Sequence, residues 1–270
     1  MYRRQPSYNG CLLAETQRDR IDVVLVSPRN PLNIGAAARA MANFGFERLT
    51  IVAPFEAHWR EAKSAVGAPE LLQNARETAT LAEAIAEFTF VVGTGTLTYR
   101  KPEQPVVPLP ALVPFIQQEL QGAGRVGIVF GPEKHGLTRE DLSYCHLLVE
   151  IPTDARQPSM NLGQAVAVCL YELTRGELTR THPDKTLDST IEKFQAAGGD
   201  RKAPSGALDR LSDVVEQTMT GAGYSPQIMQ AANRHDLRLL LRRLSWTESD
   251  VKHALGLFRR ILWRLAHRDR

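Results

Sequence analysis

The sequence predicts an α/β domain followed by a small all-α unit, and three observations point there. Through residue 175, short apolar runs bounded by charge, Gly or Pro alternate with segments of helical pattern. Those runs lack the polar–apolar alternation of a sheet with one wet face, so the sheet should be parallel and covered by helices on both sides. Beyond the Gly-, Pro- and Thr-containing interval 176–205 the strand signals stop, and only helical periodicity remains.

The elements follow in order. Residues 21–27 (IDVVLVS) form an apolar run closed by Pro28, and similar runs at 48–53, 88–93, 126–131 and 147–151 predict five strands. Helical patterns occupy 34–44, 70–86, 110–121 and 160–175. After the linker at 176–205, three further helices are predicted over 208–220, 225–244 and 247–268. Thr247 and Asp250 form a capping box before the last of these. Within it Leu255, Phe258, Leu262 and Leu265 recur at helical spacing, while Arg259, Arg260, Arg264 and Arg268 take other faces. The domains are therefore 20–175, the linker 176–205 and a helical unit 206–270.

With 270 residues, 43% hydrophobic and 23% charged, the chain is long enough to bury a core without staples. Cys11, Cys145 and Cys169 are too far apart for a metal-binding pair and read as small apolar residues; no metal is expected. The first twenty residues lack a signal-peptide core, and no run is long enough to span a membrane, so a cytoplasmic protein is expected. Residues 234–270 hold ten Lys/Arg against four Asp/Glu, a concentration that suits a polyanion and equally a solvated helix face.

Three segments at strand ends carry polar residues in patterns that suit chemistry. The first is Asn33-Ile-Gly-Ala-Ala-Ala-Arg39-Ala-Met-Ala-Asn43-Phe-Gly45. Here Asn33 can cap the helix and Gly45 can end it. Ile34, Ala37, Ala38 and Met41 make its buried stripe, and Gly35, Arg39 and Asn43 share another. Arg39 has room beside Gly35 to approach a ligand, although the pattern also fits a surface arginine on an amphipathic helix. The second segment, Phe130-Gly131-Pro132-Glu133-Lys134-His135-Gly136-Leu137, leads into a short helix capped by Thr138 and Asp141. Gly131 should let a ligand approach its backbone, so that a larger residue would block it; His135 reads as simply exposed. The third contains Ile151 and Pro152, then Pro158-Ser159-Met160-Asn161-Leu162-Gly163-Gln164, where either Ser159 or Asn161 can cap the next helix.

Taken in this order over residues 20–175, the three segments resemble the motifs of the SpoU branch of the SPOUT methyltransferases. The resemblance implies a parallel sheet with a deep trefoil knot, S-adenosylmethionine as cofactor and a homodimer. Thr94, Gly95, Thr96, Gly131, Ile151, Pro158, Ser159 and Met160 would line the cofactor pocket. Arg39 matches the family's catalytic arginine, and Asn33, Glu133, Ser159 and Asn161 match its motif polar residues. The helical tail, with Leu241-Arg242-Arg243-Leu244, is similar to one group: bacterial tRNA (cytidine/uridine-2′-O)-methyltransferases acting on nucleotide 32 of the anticodon loop. The implied partner is tRNA, with no DNA and no membrane.

Family members often carry an arginine-rich loop after the Thr94 region. This chain has Tyr99-Arg100-Lys101-Pro102 instead, in which Arg100 and Lys101 suit phosphate and Tyr99 suits stacking. Methyl transfer from a sulfonium needs a well-positioned oxygen nucleophile. A guanidinium keeps its proton and is a poor base, so Arg39 is better suited to orienting the hydroxyl and an adjacent phosphate. An rRNA substrate, another tRNA position and an inactive RNA-binding protein are the rival readings. Retention of Asn33, Arg39, Glu133 and Asn161 argues against the last. A nicotinamide dehydrogenase is disfavoured because no G-x-G-x-x-G follows the first strand.

Overall fold

In the computed structural model, which describes residues 15–96, 102–175, 201–224 and 229–267, the chain enters the sheet at β1 (Ile21–Val26), buried along its whole length. The other strands are β2 (Arg48–Val52), β3 (Arg76–Thr78), β4 (Phe90–Thr94), β5 (Val106–Pro108), β6 (Val126–Phe130) and β7 (Leu147–Glu150). They lie in the order β3-β2-β1-β6-β4-β7-β5, and every pairing is parallel. Strand β7 is inserted between β4 and β5, both laid down earlier in the chain.

Helices cover both faces, as near-continuous apolar strands require. Helices α2 (Pro31–Asn43), α5 (Val113–Gln121) and α7 (Leu162–Arg175) cover one face, with Ile34, Met41, Phe46, Trp59, Ile116 and Val166 in its core. On the other, α4 (Leu81–Ile85) and α6 (Arg139–Ser143) cover Val24, Val91, Val129 and Leu148. Two further short helices are α1 (Glu15–Arg18) and α3 (Pro69–Gln73).

The helix predicted over 70–86 is broken. Helix α3 ends, β3 pairs with β2 as an edge strand, and α4 starts at its own cap, Thr80, whose side chain accepts from Glu83 N. Strands β3 and β5 were not foreseen, and the run at 110–121 begins with a 3-10 turn, Leu109–Ala111.

The C-terminal helices are α8 (Ser205–Gly221), α9 (Gln230–Arg243) and α10 (Glu248–Ala266), packed around Leu208, Leu211, Val215, Leu241 and Val251. Thr247 and Asp250 form the expected capping box. Residues 176–200 of the proposed linker lie outside the described residues. Residues 202–204 already belong to the helical unit: Lys202 bridges to Thr247, and Ala203 N donates to Trp246 O.

These helices dock on the sheet domain. Ser205 Oγ donates to Phe88 O at 2.8 Å and Gly206 N to Ala86 O at 3.0 Å. Arg242, only 3% exposed, donates to Tyr144 O at 2.9 Å and pairs with Asp209 at 2.7 Å. Arg238 reaches Ser143 Oγ at 3.2 Å and lies over the Tyr144 ring. Cys145 and Cys169 are buried, which pushes both thiols up to about 12; Cys11 is outside the described residues. No described helix is long and apolar enough to cross a membrane.

Candidate active site

The strands β6, β4 and β7 are neighbours and parallel, so their carboxyl ends open side by side on one edge of the sheet. That edge is where open α/β sheets bind ligands, because the chain must leave each strand there in a loop. A cavity of about 240 Å³ lies at these ends. Thr94, Gly95, Thr96, Gly131, Ile151, Pro158, Ser159 and Met160 all line it, joined by Phe130, Glu133, His135, Leu162 and Ala165. Thr96 Oγ1 donates to Pro158 O at 3.0 Å and Thr153 Oγ1 to the same oxygen at 3.1 Å, which ties the 158–160 segment across the end of β4. Thr94 Oγ1 is spent on Val129 O, holding β4 to β6.

The composition of this wall suits an adenosine carrying an amino-acid arm. Phe130, Ile151, Met160, Leu162 and Ala165 offer apolar surface, and the backbones at Gly95, Gly131 and Gly136 lie among them. Gly131 is required for a different reason from the one expected. A Cβ there would lie 2.2 Å from Leu137 N and 2.3 Å from Gly136 C, so the space is filled by the turn folding back, not by a ligand. Gly136 makes that return with φ +64.

One residue from each segment joins a single hydrogen-bonded chain. Asn30, not Asn33, caps α2, accepting from Leu32 N at 2.9 Å, with Pro31 as first helical residue. Asn33 is thereby free to donate to Glu133 Oε1 at 2.8 Å and to accept from Asn161 Nδ2 at 2.9 Å. Glu133 also accepts from Arg29 N and Asn30 N at 3.1 and 3.2 Å, placing its charge at the positive end of α2. Burial alone would raise the Glu133 carboxyl; the bonds from Asn33 and from the amides of Glu133 itself, Arg29 and Asn30 outweigh it and hold the pKa below the ordinary carboxylate value. Asn161 caps α7 through Oδ1, which accepts from Gly163 N at 3.0 Å and Gln164 N at 3.4 Å. Glu133, Asn33 and Asn161 thus fix the cavity turn, α2 and α7 to one another.

The remaining candidates stand outside this hydrogen-bonded chain. Gly45 ends α2 with φ +71, as expected. Arg39 is exposed on α2, outside the cavity lining, and has no hydrogen bond or ion pair among the described residues. Gly35 is buried and faces the 62–65 turn, where a Cβ would lie 2.2 Å from Ser64 Oγ, so its smallness serves packing. Ser159 is exposed at the cavity and caps nothing. Tyr99, Arg100 and Lys101 lie outside the described residues. His135 is exposed, as expected, and also lines the cavity, which its place between Gly131 and Gly136 could have signalled. Glu103, His235 and Asp236 cluster, but Arg139 Nε donates to His235 Nε2 at 3.1 Å and already places a cation there.

Residues 20–171 match the SpoU rRNA Methylase family. The chain is 33% identical over 253 residues to the tRNA (cytidine/uridine/adenosine-2′-O-)-methyltransferase TrmJ of Pseudomonas aeruginosa, spanning 90% of this chain and 93% of that protein. It is 42% identical over 174 residues to the tRNA (cytidine-2′-O-)-methyltransferase TrmJ of Methanocaldococcus jannaschii, 64% of this chain and 74% of that one. The crystal structure of TrmJ from Z. mobilis ZM4 superposes with a TM-score of 0.75 at 29% identity, covering 89% of this chain and 98% of that one. The parallel sheet, the cavity at the ends of β4, β6 and β7 and these likenesses agree: the chain belongs to the SpoU family and is an S-adenosylmethionine-dependent methyltransferase.

Proposed function

We propose that this chain methylates a ribose 2′-hydroxyl of tRNA, at nucleotide 32 of the anticodon loop, as a cytoplasmic homodimer with the knotted topology of its family. One observation carries the tRNA reading: likeness to the P. aeruginosa tRNA methyltransferase runs over 253 residues, past the family domain and into the helical unit. An rRNA-directed relative sharing only the methyltransferase domain would lack that continuation. The insertion of β7 between two earlier strands supports the knot. Leu32 and Tyr171, exposed on the paired helices α2 and α7, support a covered face between two copies.

The cofactor supplies an electrophilic methyl group on a sulfonium. The residues at the ends of β4, β6 and β7 would hold it, and the Glu133–Asn33–Asn161 chain would keep α2 in register with that cavity. From the α2 surface Arg39 would orient the ribose hydroxyl and a flanking phosphate and stabilise the charge that develops as the oxygen gives up its proton. Arg100 and Lys101 would add phosphate contacts. The test is to incubate unmodified total tRNA and rRNA separately with methyl-labelled S-adenosylmethionine and map the product. Label at the ribose of nucleotide 32 of tRNA is expected; label confined to rRNA overturns the reading.

A further inference from the structure

We propose that the cleft between the 135–142 turn and α9 is a second binding site, which receives a nucleobase of the RNA beside the ribose being methylated. The inference rests on the reading of the chain as an RNA 2′-O-methyltransferase and adds to it a site on the other side of His135.

The cleft measures about 430 Å³, within the range of small-ligand pockets and larger than the cavity at the strand ends. His135 lines both, so the two cavities adjoin at that residue. A polynucleotide that brings a hydroxyl to the first cavity through the His135 side would carry a neighbouring base to the second. The interior of the cleft is apolar, built from Leu137, Leu142 and Leu239, and a planar base can lie against such surface. Its rim is polar, and its hydrogen-bonding state can be worked out. Arg139 Nε donates to His235 Nε2, so the proton of a neutral His235 sits on Nδ1, leaving a flat ring with one donor. Burial, and then the charge of Arg139, keep that imidazole below its ordinary pKa. The ion pair of Arg139 Nη2 with Glu103 is long, at 3.7 Å, between exposed side chains, so RNA can displace Glu103 from the guanidinium at little cost.

The remaining polar groups belong to the wall. Gln104 Nε2 is spent on Leu142 O, and Thr138 on the cap of α6. The wall contributed by α9 is preformed, because Arg238 and Arg242 fix that helix to Ser143 and Tyr144. On this account the helical unit shapes the substrate site through His235 and Leu239.

Two variants test this: Leu239→Trp fills the cleft, and His235→Ala removes its rim donor. Each is assayed for S-adenosylmethionine affinity by calorimetry and for kcat/KM on stem-loop transcripts differing only in the base at or beside the methylated nucleotide. Cofactor affinity should stay within twofold of the unmutated enzyme. Leu239→Trp should lower kcat/KM on RNA at least tenfold. His235→Ala, which needs no repacking, should change the ratio of kcat/KM between bases by fivefold or more. Unchanged RNA kinetics and base ratios in both variants, beside an active parent enzyme, overturn the cleft while leaving the proposed function standing. A Leu239→Trp protein altered only in oligomeric state makes the cleft a protein contact and also overturns it. A parent enzyme that methylates no RNA sinks the functional reading itself.

Discussion

Arg39 and Glu133 mark opposite ways in which a residue can matter. Arg39 is exposed and has no described partner, so the fold does not depend on it. Arg39→Ala should leave the urea midpoint and cofactor affinity nearly unchanged while lowering single-turnover methyl transfer by roughly 100-fold, the size of a lost transition-state contact. Near-normal turnover would remove Arg39 from the chemistry. Glu133 is bound up in structure. Its folded pKa lies below the ordinary value, so its stabilisation is complete above the carboxylate range and fades as pH falls through the folded value. Glu133→Gln should cost about 1 kcal/mol at pH 7, kept small by partial exposure. The gap from the unmutated protein should close as both are titrated into strong acid, and urea midpoints that differ equally at pH 7 and below pH ~3 would refute the assignment. At this scale the residue types of the site were legible, since Asn33, Glu133 and Asn161 stood out by motif. Their linkage was not, because Asn33 looked like a cap until Pro31 at the first helical position gave that duty to Asn30. The role expected of Gly131 also changed, since sequence cannot show which backbone folds back on a glycine.

Elements that bury a long face were readable, and elements that only finish an edge were not. The β1, β2, β6 and β7 runs and the α2 and α7 stripes have enough residues to show a period; β3 and β5, three residues each, do not. The split of the 70–86 segment was written in Thr80 and Glu83, a helix start inside what looked like a continuous helix. Helix α7 offers a way to separate two duties of one side chain. Asn161 Oδ1 caps the helix while Nδ2 donates to Asn33. Asn161→Asp keeps the acceptor and loses the donor, and it sets a second carboxylate near Glu133. The cap itself should hold, with thermal stability lower by about 1 kcal/mol from the lost hydrogen bond and the added like charge, while kcat falls at least tenfold as α2 loses its register. Asn161→Ala should lose both, with about 2 kcal/mol of stability gone. Equal kcat for the Asp variant and the parent would mean that the link between α2 and α7 has no part in turnover.

Across the whole molecule, the basic excess of the last helices divides into two populations. Arg234 is paired with Glu216, and Arg238 and Arg242 are spent on holding α9 to α8 and to the sheet domain. Arg243, Lys252, Arg259, Arg260 and Arg264 are exposed and make no ion pair among the described residues. Counting charge along the sequence treated these alike, and that is why it favoured nucleic acid and a solvated face equally. Because of this division, truncation near Gly176 is a poor test of RNA contact. Removing the helices uncovers Phe88 and Tyr144 and destroys the docking bonds, so lost tRNA binding could not be separated from lost stability. Charge substitution within α10 avoids this. The triple variant Arg259→Gln, Arg260→Gln, Arg264→Gln should fold, bind S-adenosylmethionine and keep the oligomeric state of the parent. If each of the three arginines meets a phosphate, the log–log slope of tRNA affinity against salt should become shallower by about 2 to 3. Arg242→Ala should do the reverse, leaving that slope nearly unchanged while costing about 2–3 kcal/mol, because it leaves half-buried Asp209 and the Tyr144 carbonyl without their partner. Measured by filter binding from 50 to 300 mM salt, an unchanged slope in the triple variant would remove α10 from the RNA surface and leave that helix a structural role alone.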